Sequence, residues 1–290
     1  MSVTNFRSDA TSGAPSKITF QTLQEKKRAH QPIAALTAYD YATARLEDES
    51  GVDLVLVGDS LAMVVMGYET TLPVTVDEML HHTRAVRRAV KRAIVAADMP
   101  FGSYHTSVAE GVANAVRFVK EAGAEAVKIE GGAVRCELVE RIVGAEVPVI
   151  GHLGLTPQSI HRMGGYKVQG KTESAAEELA RDARMLEAAG VSAIVLEGMP
   201  RELAARITSE VSVPTIGIGA GPDCDGQILV FHDMVNLTFS APAKFVRRYG
   251  DAGALFRSAI AGYVRDVEER AFPSEAESYH APVAPATRRA

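Results

Sequence analysis

The 290-residue sequence contains no tryptophan and only two cysteines, Cys136 and Cys224. Two are too few for a disulfide framework or a cysteine-based zinc site, so both read as ordinary thiols in a reducing compartment. No apolar run is long enough to span a bilayer, and the start, MSVTNFRSDATSGAPSK, lacks an apolar core of signal-peptide length. Positive charge is not in excess either. A formal net charge of −5 gives no general pull toward nucleic acid or anionic membrane. These absences predict a cytoplasmic protein with neither a nucleic-acid nor a membrane partner.

What is present is a recurring unit. Short apolar runs rich in β-branched residues occupy 33–39, 53–59, 93–98, 124–130, 147–153, 192–198, 213–219 and 226–233. Most are continuously apolar rather than alternating, as expected of parallel strands covered on both faces. Helical patterns lie between them, such as DEMLHHTRAVRRAVKR, VAEGVANAVRFVKEAG and ESAAEELARDARMLEAAG, the last two closing on glycine. Eight such units in this length fit a (β/α)₈ TIM barrel, which needs about 250 residues. A doubly wound open sheet is the alternative, and the first βα turn shows no GxGxxG. The boundaries expected are a polar N-terminal tail at 1–17, one catalytic barrel at 18–273 and a polar tail at 274–290.

In a parallel barrel the carboxyl ends of the strands meet at one rim, where active sites form. The expected ends carry Tyr39–Asp40, Asp59–Ser60, Asp98, Lys128 with Glu130, His152, Glu197 and His232–Asp233. A polar residue after a strand is often only a helix cap. Lys128 and Glu130 resist that reading, because they lie inside the apolar run AEAVKIE, two residues apart, and so share one face. A buried charge needs a partner or a metal, and a plain Lys–Glu pair would satisfy both groups. Asp98 and Asp59 pose the same problem. Converging carboxylates raise one another's pKa values unless a cation neutralises them, and an all-oxygen set suits Mg²⁺. Zinc is disfavoured, since HExxH is absent and His81 and His82 are helix neighbours that diverge. Glu197, if not a ligand, is the natural general base. The residues thus point to metal-assisted proton abstraction beside a carbonyl. The glycine-rich GIGAGPDCDG reads equally as an anion cradle or a tight turn, and MGYETTLPVT equally as a lid or a connector.

Eight runs in order, from TAYDY and LVGDSLAMVVMGYETTLPVTVDEM through ADMPFGSY, AVKIEGG and VPVIGHLGLTPQS to IGIGAG and DGQILVFHD, resemble the ketopantoate hydroxymethyltransferase family over roughly residues 20 to 275. The resemblance implies a barrel of the phosphoenolpyruvate mutase/isocitrate lyase type. It implies transfer of a hydroxymethyl group from 5,10-methylenetetrahydrofolate to 3-methyl-2-oxobutanoate, the first committed step of pantothenate synthesis. Carried over, Asp59 and Asp98 are implied Mg²⁺ ligands and Glu130 a third metal-site carboxylate acting partly through water. Asp59, Ser60, Asp98 and Lys128 are implied to hold the keto acid, Glu197 to take the proton, and His152 to give a supporting contact. A homo-oligomer, a decamer of two stacked pentamers, is also implied. The alternatives are a lyase or mutase of the same superfamily acting on another 2-oxo acid, or a silent barrel that binds an organic acid.

Overall fold

In the computed structural model, which describes residues 16–281, eight strands close into one parallel barrel in sequence order. They are β1 (Ile33–Thr37), β2 (Leu54–Val57), β3 (Ile94–Asp98), β4 (Ala126–Glu130), β5 (Val149–Gly154), β6 (Ala193–Glu197), β7 (Thr215–Ile218) and β8 (Gly226–Leu229). Every neighbouring pair is parallel and β1 pairs with β8, so the expected barrel is present and the open sheet is excluded. Residues 1–15 and 282–290 of the two expected tails lie outside the described residues. Lys17, placed with the first tail by the sequence, is tied to the barrel: its ammonium donates to Ala93 O at 2.7 Å and pairs with Glu125. Among the described residues, no helix is long and apolar enough to cross a membrane.

The period-2 geometry of a strand divides the apolar residues into two cores. One set points into the barrel and includes Ile33, Ala35, Leu54, Leu56, Ile94, Ala96, Ala126, Ile150, Ala193, Val195, Ile216 and Ile228. Ile18 and Leu23, beside and within the helix Phe20–Arg28, join this inner set. The other set, among it Val55, Val57, Val95, Val127, Ile129, Ile194 and Leu196, packs beneath the surrounding helices with Met79, Val86, Phe118 and Ile142. Both faces of β2–β5 are therefore dry, which is why those runs read as continuously apolar, whereas β1 and β8 leave Ala34 and Gln227 exposed.

The strands are shorter than their apolar runs, for local reasons. β1 stops at Thr37 because Asp40 caps the helix Tyr41–Glu49, its carboxylate accepting from Thr43 N at 2.9 Å. β8 stops at Leu229 because Phe231 N turns to Thr37 Oγ1 at 3.0 Å, and Phe231–Met234 then form a short helix. His232 and Asp233 consequently sit a turn beyond the strand rather than at its end. The helical pattern at 77–92 stops at Ala89, since the Asp48 carboxylate gathers the backbone N–H groups of Lys91, Arg92 and Ala93.

One element departs from the barrel plan. The helix Ala252–Glu268 buries only Gly253 and leaves Leu255, Phe256, Ile260, Tyr263, Val264 and Val267 exposed. Its contacts with the barrel's own elements are marginal.

Candidate active site

The inner-facing positions at the carboxyl rim change character around the barrel. Two residues beyond inward Ala96, Ala126, Ile150 and Val195 come Asp98, Lys128, His152 and Glu197, and Glu130 follows Lys128 by two more. Asp59 and Ser60 follow β2 after Gly58. On β7 and β8 the corresponding positions are Ile218 and Val230. The rim residues, from Asp59 and Ser60 through Asp98, Lys128, Glu130, His152 and Glu197 to Ile218 and Val230, line one cavity of about 1030 Å³.

The polar half is a single network. Asp98 and Lys128 are register partners on β3 and β4, and their Nζ–Oδ1 separation is 3.1 Å. Lys128 lies 4.0 Å from Glu130, so its closest carboxylate is across the sheet and not along its own strand as the plain Lys–Glu pair supposed. Lys128 Nζ also lies 3.0 Å from His152 Nδ1. An ammonium only donates, so Nδ1 accepts in that contact. Nδ1 is also 3.5 Å from Glu130 Oε1. Burial and Lys128 would depress the imidazole's pKa, but Glu130 and Glu197 outweigh them and raise it. Nε2 is 3.1 Å from Glu197 Oε2. Nε2 makes no aligned hydrogen bond, so His152, expected to give only a supporting contact, lies between Lys128 and Glu197 by proximity. On the other side, Asp59 N donates to Asp98 Oδ2 at 3.0 Å. Gly58 leaves room for the serine, since a Cβ there would lie 2.8 Å from Ser60 Oγ. Ser60 is held in turn by the Tyr39 hydroxyl at 2.8 Å.

Burial sets the electrostatics. Asp59, Asp98, Lys128, Glu130 and His152 are all buried. Desolvation pushes the Asp59 carboxyl well above the carboxylate range, with Asp98 and Glu130 adding to the effect. Desolvation also raises Asp98, although Lys128 opposes it. Burial alone would depress Lys128, but Asp98, Glu130 and Asp59 outweigh it and hold the ammonium above its ordinary value. Burial opposes ionisation of Glu130 too; there His152 and Lys128 prevail, and its pKa is lowered. Three carboxylates therefore face one firmly charged lysine.

A divalent cation fits this arrangement. Glu130 Oε1 is buried without a hydrogen bond, Asp98 Oδ1 has only the Lys128 ammonium beside it, and the raised Asp59 and Asp98 carboxyls are what an added positive charge would relieve. Among the described residues no group of three His, Cys, Asp or Glu makes a ready cage. Mg²⁺ keeps several waters and takes only one or two protein carboxylates, so it does not require such a cage. Asp59 and Asp98 are the residues that would hold it, with Glu130 behind them.

Two residues were missed in the sequence. Gln158 donates through Nε2 to Asp59 Oδ2 at 2.8 Å and Met99 O at 3.0 Å, while its backbone N reaches Glu130 Oε2 at 2.9 Å. Its Oε1 accepts from the Tyr104 hydroxyl at 2.6 Å, and that hydroxyl accepts from Glu130 N at 3.1 Å. Both sit inside runs already quoted, ADMPFGSY and GHLGLTPQS, yet as uncharged loop residues they carry no charge-burial signal. The glycine-rich segment turns tightly, and its Gly219 and Gly221 line the cavity. Gly219 and Gly221 have positive φ, and a Cβ at either would meet Phe245 or Arg201. The loop 66–75 contributes Thr71 to the cavity and ends in a capping box of Thr75 with Glu78. His82 is bound through Nδ1 to Tyr39 O at 2.6 Å and takes no part in the rim.

Comparison with known proteins identifies the family and the fold. The sequence profile of a family described as ketopantoate hydroxymethyltransferase matches residues 17–275. The 3-methyl-2-oxobutanoate hydroxymethyltransferase of Koribacter versatilis (strain Ellin345) is 64% identical over 273 residues, covering 94% of this chain and 92% of that protein. The protein of the same name from Thermoanaerobacter sp. (strain X514) is 53% identical, covering 91% and 96%. Among solved structures, phosphonopyruvate hydrolase in complex with oxalate and Mg²⁺ superposes with a TM-score of 0.57 at 16% identity, covering 90% and 93% of the two chains. A 2,3-dimethylmalate lyase, a PEP mutase/isocitrate lyase superfamily member, gives 0.55 at 16%, covering 89% and 100%. At that identity the structural likeness concerns the fold.

Proposed function

Because the chain belongs to the ketopantoate hydroxymethyltransferase family of enzymes, we propose that it transfers a hydroxymethyl group from 5,10-methylenetetrahydrofolate to 3-methyl-2-oxobutanoate. The products are 2-dehydropantoate and tetrahydrofolate, which opens pantothenate synthesis in the cytoplasm. The observation that carries the reading is the chain of contacts from Lys128 through His152 to Glu197, beside a buried pair of aspartates.

A Mg²⁺ held by Asp59 and Asp98 would polarise the keto acid's oxygens and make its C3 hydrogen more acidic. Lys128, kept charged by its carboxylates, meets the substrate's negative charge, and Ser60 offers a hydroxyl already oriented by Tyr39. Glu197 takes the C3 proton. His152, whose Nε2 lies 3.1 Å from that carboxylate, stands between it and Lys128 and limits where it can move. The enolate carbon then bonds to the donor's one-carbon unit, water supplies the hydroxyl oxygen, and tetrahydrofolate leaves.

A lyase or mutase of the same superfamily would turn over without folate, and the family match argues against it. Incubation of metal-replete protein with both substrates should give 2-dehydropantoate by NMR in step with tetrahydrofolate. Turnover of a 2-oxo acid without the folate, or no product at all, would overturn the assignment. We place the enzyme in a homo-oligomer, two stacked pentamers as the resemblance implies. The apolar stripe on Ala252–Glu268 supports self-association, since a second copy would bury it.

A further inference from the structure

The cavity is larger and less uniform than the keto acid needs. At about 1030 Å³ it stands at the top of the roughly 300–1,000 Å³ range of drug-sized ligand sites, and a five-carbon acid fills little of it. The carboxylates, Lys128 and His152 occupy the β2–β5 side. The β6–β8 side is lined by Val195, Ile218, Ile228 and Val230, with Glu197 at the boundary. Gly219 adds no side chain there, so the wall is flat backbone with Phe245 seated against it.

Polar groups are sparse on this side and differ in kind. Asp233, beyond β8, lines the cavity; its Oδ1 accepts from the Thr238 hydroxyl at 2.6 Å, and Oδ2 accepts no hydrogen bond among the described residues. At the outer part stand two lysines, Lys167 from the loop after β5 and Lys244 from the loop after β8. Neither has a carboxylate partner among the described residues. The exposed rings of Tyr166 and Phe245 flank them.

We propose that the β6–β8 half of the cavity is the subsite of the one-carbon donor. A reduced pteridine lies along the apolar wall with its hydrogen-donating edge on Asp233, and its acidic tail leaves between Lys167 and Lys244. Three features of the ligand meet three of the site. A heterocycle's faces need apolar cover, an amino-substituted edge needs a carboxylate acceptor, and a run of glutamyl carboxylates needs cations at the mouth. The arrangement also sets the donor's one-carbon unit beside Glu197, where the nucleophilic carbon forms. The assignment rests on reading the co-substrate as a folate.

The test is anaerobic calorimetry of metal-replete enzyme with tetrahydrofolate as monoglutamate and as triglutamate. Wild type should bind the triglutamate more tightly. In the double variant Lys167→Glu/Lys244→Glu, both on the exposed rim, that preference should vanish or invert, with triglutamate affinity falling about tenfold or more. Asp233→Asn should weaken both ligands about equally, again about tenfold. If wild type binds tetrahydrofolate and all variants bind it as tightly, the subsite lies elsewhere while the folate reading survives. If wild type binds neither ligand, the folate reading falls and the subsite with it.

Discussion

Lys128 and Glu130 carry the strongest signal at the scale of single residues. A lysine and a glutamate inside a dry strand demand partners, and that demand was legible in AVKIE. Which partner would win was not, because Asp98 and His152 approach only through strand register. The same limit hid Gln158, an uncharged loop residue whose importance lies in touching Asp59, Glu130 and Tyr104 together. Glu197→Gln should keep the fold, the metal and keto-acid binding but lower turnover by about 10²–10⁴-fold, read as kcat with Kd for the keto acid measured separately. Equal loss of binding would make Glu197 a ligand or a structural group. Gln158→Ala leaves Asp59 and the Tyr104 hydroxyl without their shared partner. Mg²⁺ affinity, measured by titration of the free enzyme, should fall about tenfold or more.

At the scale of elements, the helix Tyr41–Glu49 carries a liability. Glu47 is buried with neither carboxyl oxygen hydrogen-bonded, and desolvation, with a smaller contribution from Asp40, pushes its pKa up to about 9. Its unfolded value is the ordinary one of about 4.5. The folded state holds a proton that the unfolded state releases, so stability declines as pH rises from about 4.5 and levels off above about 9. Glu47→Gln removes that decline. Urea unfolding should show the variant more stable by roughly 1–3 kcal/mol at pH 8, with the difference gone near pH 4.5. An unchanged pH profile would mean that Glu47 finds a partner. Element boundaries were the least legible part of the sequence. β8 was read through to Asp233, yet a hydroxyl on β1 captures Phe231 N and ends the strand, a contact almost two hundred residues away in the chain. The eight strands were legible as strands, because most of their residues are apolar and the charged ones gather at the carboxyl rim.

For the whole molecule, one dry barrel supports a rim that is charged on one side and apolar on the other, and one helix remains outside the packing. The exposed stripe on Ala252–Glu268 predicts that Phe256→Glu/Ile260→Glu lowers the mass measured by size exclusion with light scattering; an unchanged mass would place the interface elsewhere. The central claim is that this rim enolises a 2-oxo acid with a metal's help. Its most direct test is proton NMR of 3-methyl-2-oxobutanoate in D₂O with the enzyme, first with Mg²⁺ and then with a chelator, before any folate is added. The account predicts that the C3 proton signal decays with Mg²⁺ and persists with the chelator. A signal that persists under both conditions in folded, metal-replete protein, or decays equally under both, would contradict it.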